Sequence, residues 1–135
     1  MKKDFPYLSV VSYGAGHWFT VLAISFLLFS FRQNEPIFFE SLISLTLVAV
    51  TIFFGFIFLR RYRPISSKEA LLTGFVWMLV NLALDQLLFM WGPMKMNLIA
   101  YVKDIGVTYL MVPAIIWAME YYHESVVRKE KSEKK

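Results

Sequence analysis

Asp85 is the one charged residue in an apolar run from 70 to 91. A charge inside a membrane-length segment is costly and marks a candidate functional site. Further polar groups fall at matching positions. Asn81 precedes Asp85 by one helical turn, on the same face. Lys103, Asp104 and Thr108 lie near the start of the last apolar run, and Glu40 near the start of the second. Counted from Trp91 and Asn97 at 1.5 Å per residue, Asp85, Lys103 and Asp104 share one level, roughly 9–10 Å below the helix ends. Asn81 and Thr108 form a second level one turn deeper.

Three chemistries fit this cluster. Three carboxylates against one lysine make a cation or proton site, with a carboxylate free to hold a proton where water is scarce. An Asp85–Lys103 ion pair would instead be structural, with Asp104 favoured by the positive end of its helix. Lys103 can also snorkel to the headgroups. A catalytic carboxylate pair is the third reading. No Ser/His/Asp set at matching depth and no metal motif supports it, so the sequence leans away from an enzyme.

His17 is the titratable group of the first apolar run. As a haem ligand it would need a second axial ligand at similar depth. His123 lies at the border of the last run and fits poorly, which leaves Met78 or Met119. A hydrogen-bonded interior histidine is the simpler expectation. Met90, Met94 and Met96 surround a turn at Trp91-Gly92-Pro93, and thioethers suit Cu(I). Without nearby His or Cys, Met94 and Met96 read as flexible apolar filler. No cofactor and no metal is expected.

The composition says where these residues are held. The 135-residue chain is 58% hydrophobic and 18% charged, against ~45–50% and ~25% in soluble domains. A small domain keeps much of its surface wet and could not hide so much Phe, Leu and Ile. The chain has no cysteine. That excludes disulfides, thiolate nucleophiles, Cys-ligated zinc and iron–sulfur clusters. The sequence therefore predicts an all-α integral membrane protein.

Four runs meet the ~20-residue requirement for a transmembrane helix. They cover about 8–31, 37–59, 70–91 and 98–119, the last being weakest because Lys103 and Asp104 interrupt it. The spacing predicts one antiparallel four-helix bundle over 1–123 and a charged tail over 124–135, disordered or loosely helical. Pro36 suits a first helical position. Ser66 and Glu69 form a capping box for the third helix, and Asn97 caps the fourth. Short connections predict that sequence neighbours pack side by side. A cleaved signal peptide fits poorly, because the first run is too long.

Eleven of the fourteen Lys and Arg fall on one side of this arrangement, leaving Arg32, Lys95 and Lys103 on the other. The positive-inside rule then puts both termini and the 60–69 loop in the cytoplasm, in a cell (inner) membrane. The basic charge contacts lipid headgroups, and nothing supports a nucleic-acid partner. Membrane helices pack through small and polar residues. The expected stripes are Ser12, Gly16, Thr20 and Ala23; Ser41, Ser44, Val48, Thr51 and Gly55; Gly74, Asn81 and Asp85; and Ala100, Asp104, Thr108, Ile115 and Ala118. The function expected is transport of an ion or small solute, with the bilayer and further copies in a homo-oligomer as partners. An accessory subunit of a larger membrane complex is the alternative.

Overall fold

The computed structural model describes residues 5–91 and 97–134, and of Asp104 the backbone alone. The Gly92-Pro93 turn, Met94 and Met96 lie outside the described residues, as do Lys2, Lys3 and Lys95.

The described chain is helical throughout. Its elements are α1 (Tyr7–Leu27), α2 (Phe29–Asn34), α3 (Pro36–Tyr62), α4 (Ser67–Trp91), α5 (Leu98–Tyr101), a π turn (Val102–Gly106), a 3-10 turn (Thr108–Leu110) and α6 (Met111–Glu133). Helices α1, α3 and α4 are long and apolar enough to cross a membrane. At 1.5 Å per residue their 21, 27 and 25 residues span about 31 to 41 Å, against ~30 Å of hydrocarbon. Their outer faces carry exposed Leu8, Phe19, Phe53 and Leu79, as expected where the surrounding solvent is lipid.

Local signals start the helices as expected. Pro36 is the first residue of α3. The Glu69 carboxylate accepts from the Ser66 amide and hydroxyl, both at 2.8 Å. The Asn97 side chain accepts from the Ile99 amide at 3.1 Å. The first apolar run is not one helix, however: it breaks at Leu28, and α2 begins one residue later.

The last run departs most from expectation. In place of a continuous helix over 98–119, a single α turn passes into a π turn and a 3-10 turn before α6 begins. Val107 N–H reaches back five residues to the Val102 carbonyl at 3.2 Å. Pro113 explains part of this, because it has no N–H to give and its ring crowds the carbonyl four residues earlier, that of Tyr109. Gly106 weakens the helix further. At its other end α6 runs on to Glu133, so the charged tail is helical.

The four long helices form a ring in the order α1, α4, α6, α3. Helices α3 and α4, although consecutive, are diagonal across it rather than neighbours. Neighbouring helices sit 8–10 Å apart, so a diagonal is about 11–14 Å. The four connecting residues, 63–66, reach about 13–14 Å when extended. The connection is thus just long enough to cross the end of the bundle.

The packing faces follow close approach. Gly74, Asn81 and Asp85 are all buried on α4, as expected. On α1 the buried residues are Val10, Gly14, His17 and Val21, not the stripe containing Ser12 and Gly16. A Cβ on Gly14 would lie 3.1 Å from Trp77 Cδ1, a tight contact that the indole would have to shift to relieve. On α3 only Thr51 and Gly55 of the expected stripe are buried. Among the described residues from 98 onward the buried positions are Tyr101, Tyr109, Val112, Pro113, Ile116 and Glu120, with Tyr101, Tyr109 and Ile116 each one residue later than expected.

Two acidic residues lock α6 to the rest at its far end. Glu120 is buried, with Arg63 at 3.3 Å and His123 at 3.4 Å. Glu124 accepts from the Ser67 hydroxyl at 2.6 Å and the Ser67 amide at 3.0 Å, which caps α4 from another helix. Those two bonds hold the Glu124 carboxyl below its usual range, with smaller help from Arg128 and His123.

The tightest crossing is that of α4 and α6. A Cβ on Gly74 would overlap the Cα of Pro113, which is backbone and cannot swing aside. Gly74→Ala should therefore cost about 1–3 kcal/mol, the usual range for overpacking. Gly106→Ala, whose Cβ would meet Val102 Cβ at an ordinary 3.6 Å, should be neutral. Melting temperatures in detergent check both, and equal tolerance would contradict the crossing.

Candidate functional site

Asp85 lies near the C-terminal end of α4, and 7% of it is exposed. Three aromatic side chains donate to its carboxylate. Trp18 Nε1–H meets Oδ1 at 2.7 Å. The hydroxyls of Tyr101 and Tyr109 meet Oδ2 at 2.8 and 2.7 Å. Hydrogen bonds to a charged group contribute roughly 1.5–3 kcal/mol each, so three of them replace much of the lost hydration. Among the described residues no Lys, Arg or His pairs with Asp85; the ion pairs are those of Glu120.

The irregular segment is what brings both phenols to one oxygen. In a regular α-helix residues 101 and 109 would be about 12 Å apart along the axis and some 80° apart around it. The π and 3-10 turns change both the rise and the phase. π turns inside helices recur at functional sites for this reason.

Asp85 also lines a cavity of about 660 Å³ between α1, α3, α4 and the 105–109 region. Trp18, Phe39, Phe89 and Tyr109 supply aromatic walls, and Leu47 and Ile105 aliphatic ones. Glu40, Arg32 and Thr108 also line it. The structure therefore gathers Glu40, Asp85 and Thr108 around one space. Lys103 is exposed and does not line it. The side chain of Asp104 lies outside the described residues.

Asn81 belongs to a separate buried network one turn away. His17 has no exposed surface. Its Nδ1 is 3.1 Å from Asn81 Oδ1, and its Nε2 is 3.0 Å from Thr51 Oγ1. Asn81 Nδ2 donates to the Trp77 carbonyl at 2.7 Å, and Thr51 Oγ1 to the Leu47 carbonyl at 2.6 Å. With both ring nitrogens engaged, His17 offers no lone pair to a haem iron. Among the described residues no group of three or more His, Asp or Glu is placed to hold a metal.

Sequence reasoning missed Trp18, Tyr101 and Tyr109 as donors to Asp85. The available signal was a shortage of cations: a buried carboxylate without a lysine needs N–H and O–H groups, and aromatic donors are abundant here. Comparison with protein-family models, with curated proteins and with solved structures finds no match.

Asp85→Leu deletes the shared acceptor and leaves three donors unmet, each costing about 1–3 kcal/mol if it stays buried. The detergent melting temperature should fall sharply. Adding Lys103→Leu should recover nothing, because the lysine is not its partner. Recovery in the double variant would restore the ion-pair reading.

Proposed function

We propose that this chain is a small, non-enzymatic polytopic protein of the cell membrane that carries a small cationic solute through the Asp85 cavity. The observation behind this reading is a buried carboxylate on the wall of a cavity, held by three neutral donors and, among the described residues, not paired with a Lys, Arg or His. Ionisable groups at membrane depth commonly mark solute and ion pathways. Two carboxylates and one arginine line the space, so its balance is acidic. The faces of Trp18, Phe39, Phe89 and Tyr109 offer cation–π attraction to an organic cation. A volume of about 660 Å³ falls within the range of small-molecule sites.

In this reading the 98–119 run is a fourth crossing. Both termini and the 60–69 connection are cytoplasmic, and the Asp85 end of the bundle faces outward. The uneven distribution of Lys and Arg supports that orientation. Cysteines introduced at Ser66 and Ser125 should react only with permeant reagents in intact cells, and one at Asn34 with impermeant reagents. Outside labelling at Ser66 would reverse the orientation.

Benzyltrimethylammonium is a suitable probe, being aromatic and permanently charged. Its binding to protein in detergent should change tryptophan emission through Trp18. Asp85→Asn removes the charge but keeps an oxygen to accept from Trp18, while its NH2 can donate to a tyrosine hydroxyl oxygen. It should weaken binding about tenfold or more, as loss of a buried charge partner does, while the melting temperature changes little. Equal binding by both proteins would overturn the reading. Mass measurement in mild detergent distinguishes a self-assembling carrier from an accessory subunit, since a different partner would co-purify.

A further inference from the structure

The hydrogen bonds around His17 can be assigned donor by donor. Asn81 uses its amide N–H on the Trp77 carbonyl, so Oδ1 faces His17 and can only accept. His17 Nδ1 must therefore carry a proton. The other nitrogen meets Thr51 Oγ1, which has a single proton and two possible acceptors: His17 Nε2 and the Leu47 carbonyl. If Thr51 donates to Nε2, the imidazole is neutral and satisfied. If Thr51 donates to Leu47, its oxygen lone pair accepts a second N–H, and the imidazolium is equally satisfied. A rotation of one hydroxyl thus accommodates either state without moving a helix.

We infer that His17 is a reversible proton-binding site that exchanges its proton for a cation in the Asp85 cavity. The coupling rests on the cationic-solute reading above. The side chains recorded around the ring, Asn81 and Trp77 on α4 and Thr51 and Phe54 on α3, carry no charge. The charged and titratable groups of the surrounding elements are Lys68, Glu69 and Asp85 on α4, Glu40, Arg60 and Arg61 on α3, Arg32 on α2, Lys103 and Asp104 in the π turn, and Glu120, His123, Glu124 and the charged residues from 128 to 133 on α6. Helix α1 has no other charged residue.

Asp85 is the anion both sites share. It lies one turn, about 6 Å of rise, beyond Asn81 on α4. Trp18, which donates to Asp85, follows His17 directly in α1. Leu47, whose carbonyl takes the Thr51 proton, lines the cavity. A cation entering beside Asp85 repels an imidazolium one turn away, and little water screens the two charges. The Nε2 proton leaves to bulk water, and the Thr51 hydroxyl turns back to donate to Nε2.

The test uses the full chain in detergent, with His123→Gln so that a single histidine remains. Nitrogen NMR of the imidazole between about pH 5 and pH 8 reads its protonation directly. The expected result is a neutral form protonated at Nδ1 at high pH and a doubly protonated form at low pH. Saturating benzyltrimethylammonium should shift that titration toward lower pH. The probe has no titratable proton, so proton release on binding, read in weakly buffered solution, comes from the protein. His17→Gln should abolish the part of that release contributed by His17 while leaving binding at high pH intact. Binding with a cation-insensitive His17 titration would overturn the exchange and spare the cavity reading. A histidine that titrates while the probe fails to bind would overturn both the exchange and the cavity reading. The NMR titration keeps the inference falsifiable even if His17→Gln does not fold.

Discussion

A carboxylate taken out of water has to be solvated by the protein, and much of the Trp91 end of this bundle is arranged around that need. Asp85 ties α4 to α1 through Trp18 and to the 98–110 segment through Tyr101 and Tyr109. A lysine would have neutralised the charge outright. Three neutral donors solvate it without an ion pair, and two of them, Trp18 and Tyr109, also line the adjoining cavity. A carboxylate has about four acceptor positions, and the three bonds recorded here do not fill them.

The irregular backbone and the tight crossing are linked. Pro113 removes a helical hydrogen bond just beyond the two tyrosines, and the same residue packs against bare backbone at Gly74. Close approach of α4 and α6 therefore begins where regular helix fails. The segment before Pro113 is released from α-helical phase, and its π and 3-10 turns aim both phenols at Oδ2. Local strain on the helix and the solvation of Asp85 meet in one stretch of chain.

Helix α4 was the most legible part of the sequence. Its capping box, its small residue Gly74 and its polar pair Asn81 and Asp85 all lie where periodicity put them. On α1 the same reasoning chose Ser12 and Gly16 over Gly14 and His17. Small residues are common on several faces, and the face that is buried is set by packing against Trp77, 63 residues later in the numbering. The convergence of Tyr101 and Tyr109 was hidden for a different reason. Eight residues do not return to one face of an α-helix, and single-sequence periodicity carries no signal for a π turn. Glu120 fell just outside the expected 98–119 run, and its partner Arg63 is 57 residues away in the chain.

The two ends of the bundle are held by different physics. At the Arg63 end, an ion pair, a histidine contact and an inter-helix cap join α6 to α4 and to the chain leaving α3. Those bonds join a carboxylate to a guanidinium, an imidazole, a backbone amide and a hydroxyl. At the Asp85 end no ion pair holds the carboxylate among the described residues, the helices are separated by about 660 Å³ of space, and the contacts are hydrogen bonds from Tyr101 and from Trp18 and Tyr109, which also form the cavity wall. His17 sits between these regions with both nitrogens engaged. Trp18, which donates to Asp85, and His17, which meets Asn81, are adjacent in α1, and Asn81 and Asp85 are one turn apart in α4. The polar interior is thus two hydrogen-bonded networks set side by side by the same pair of helices.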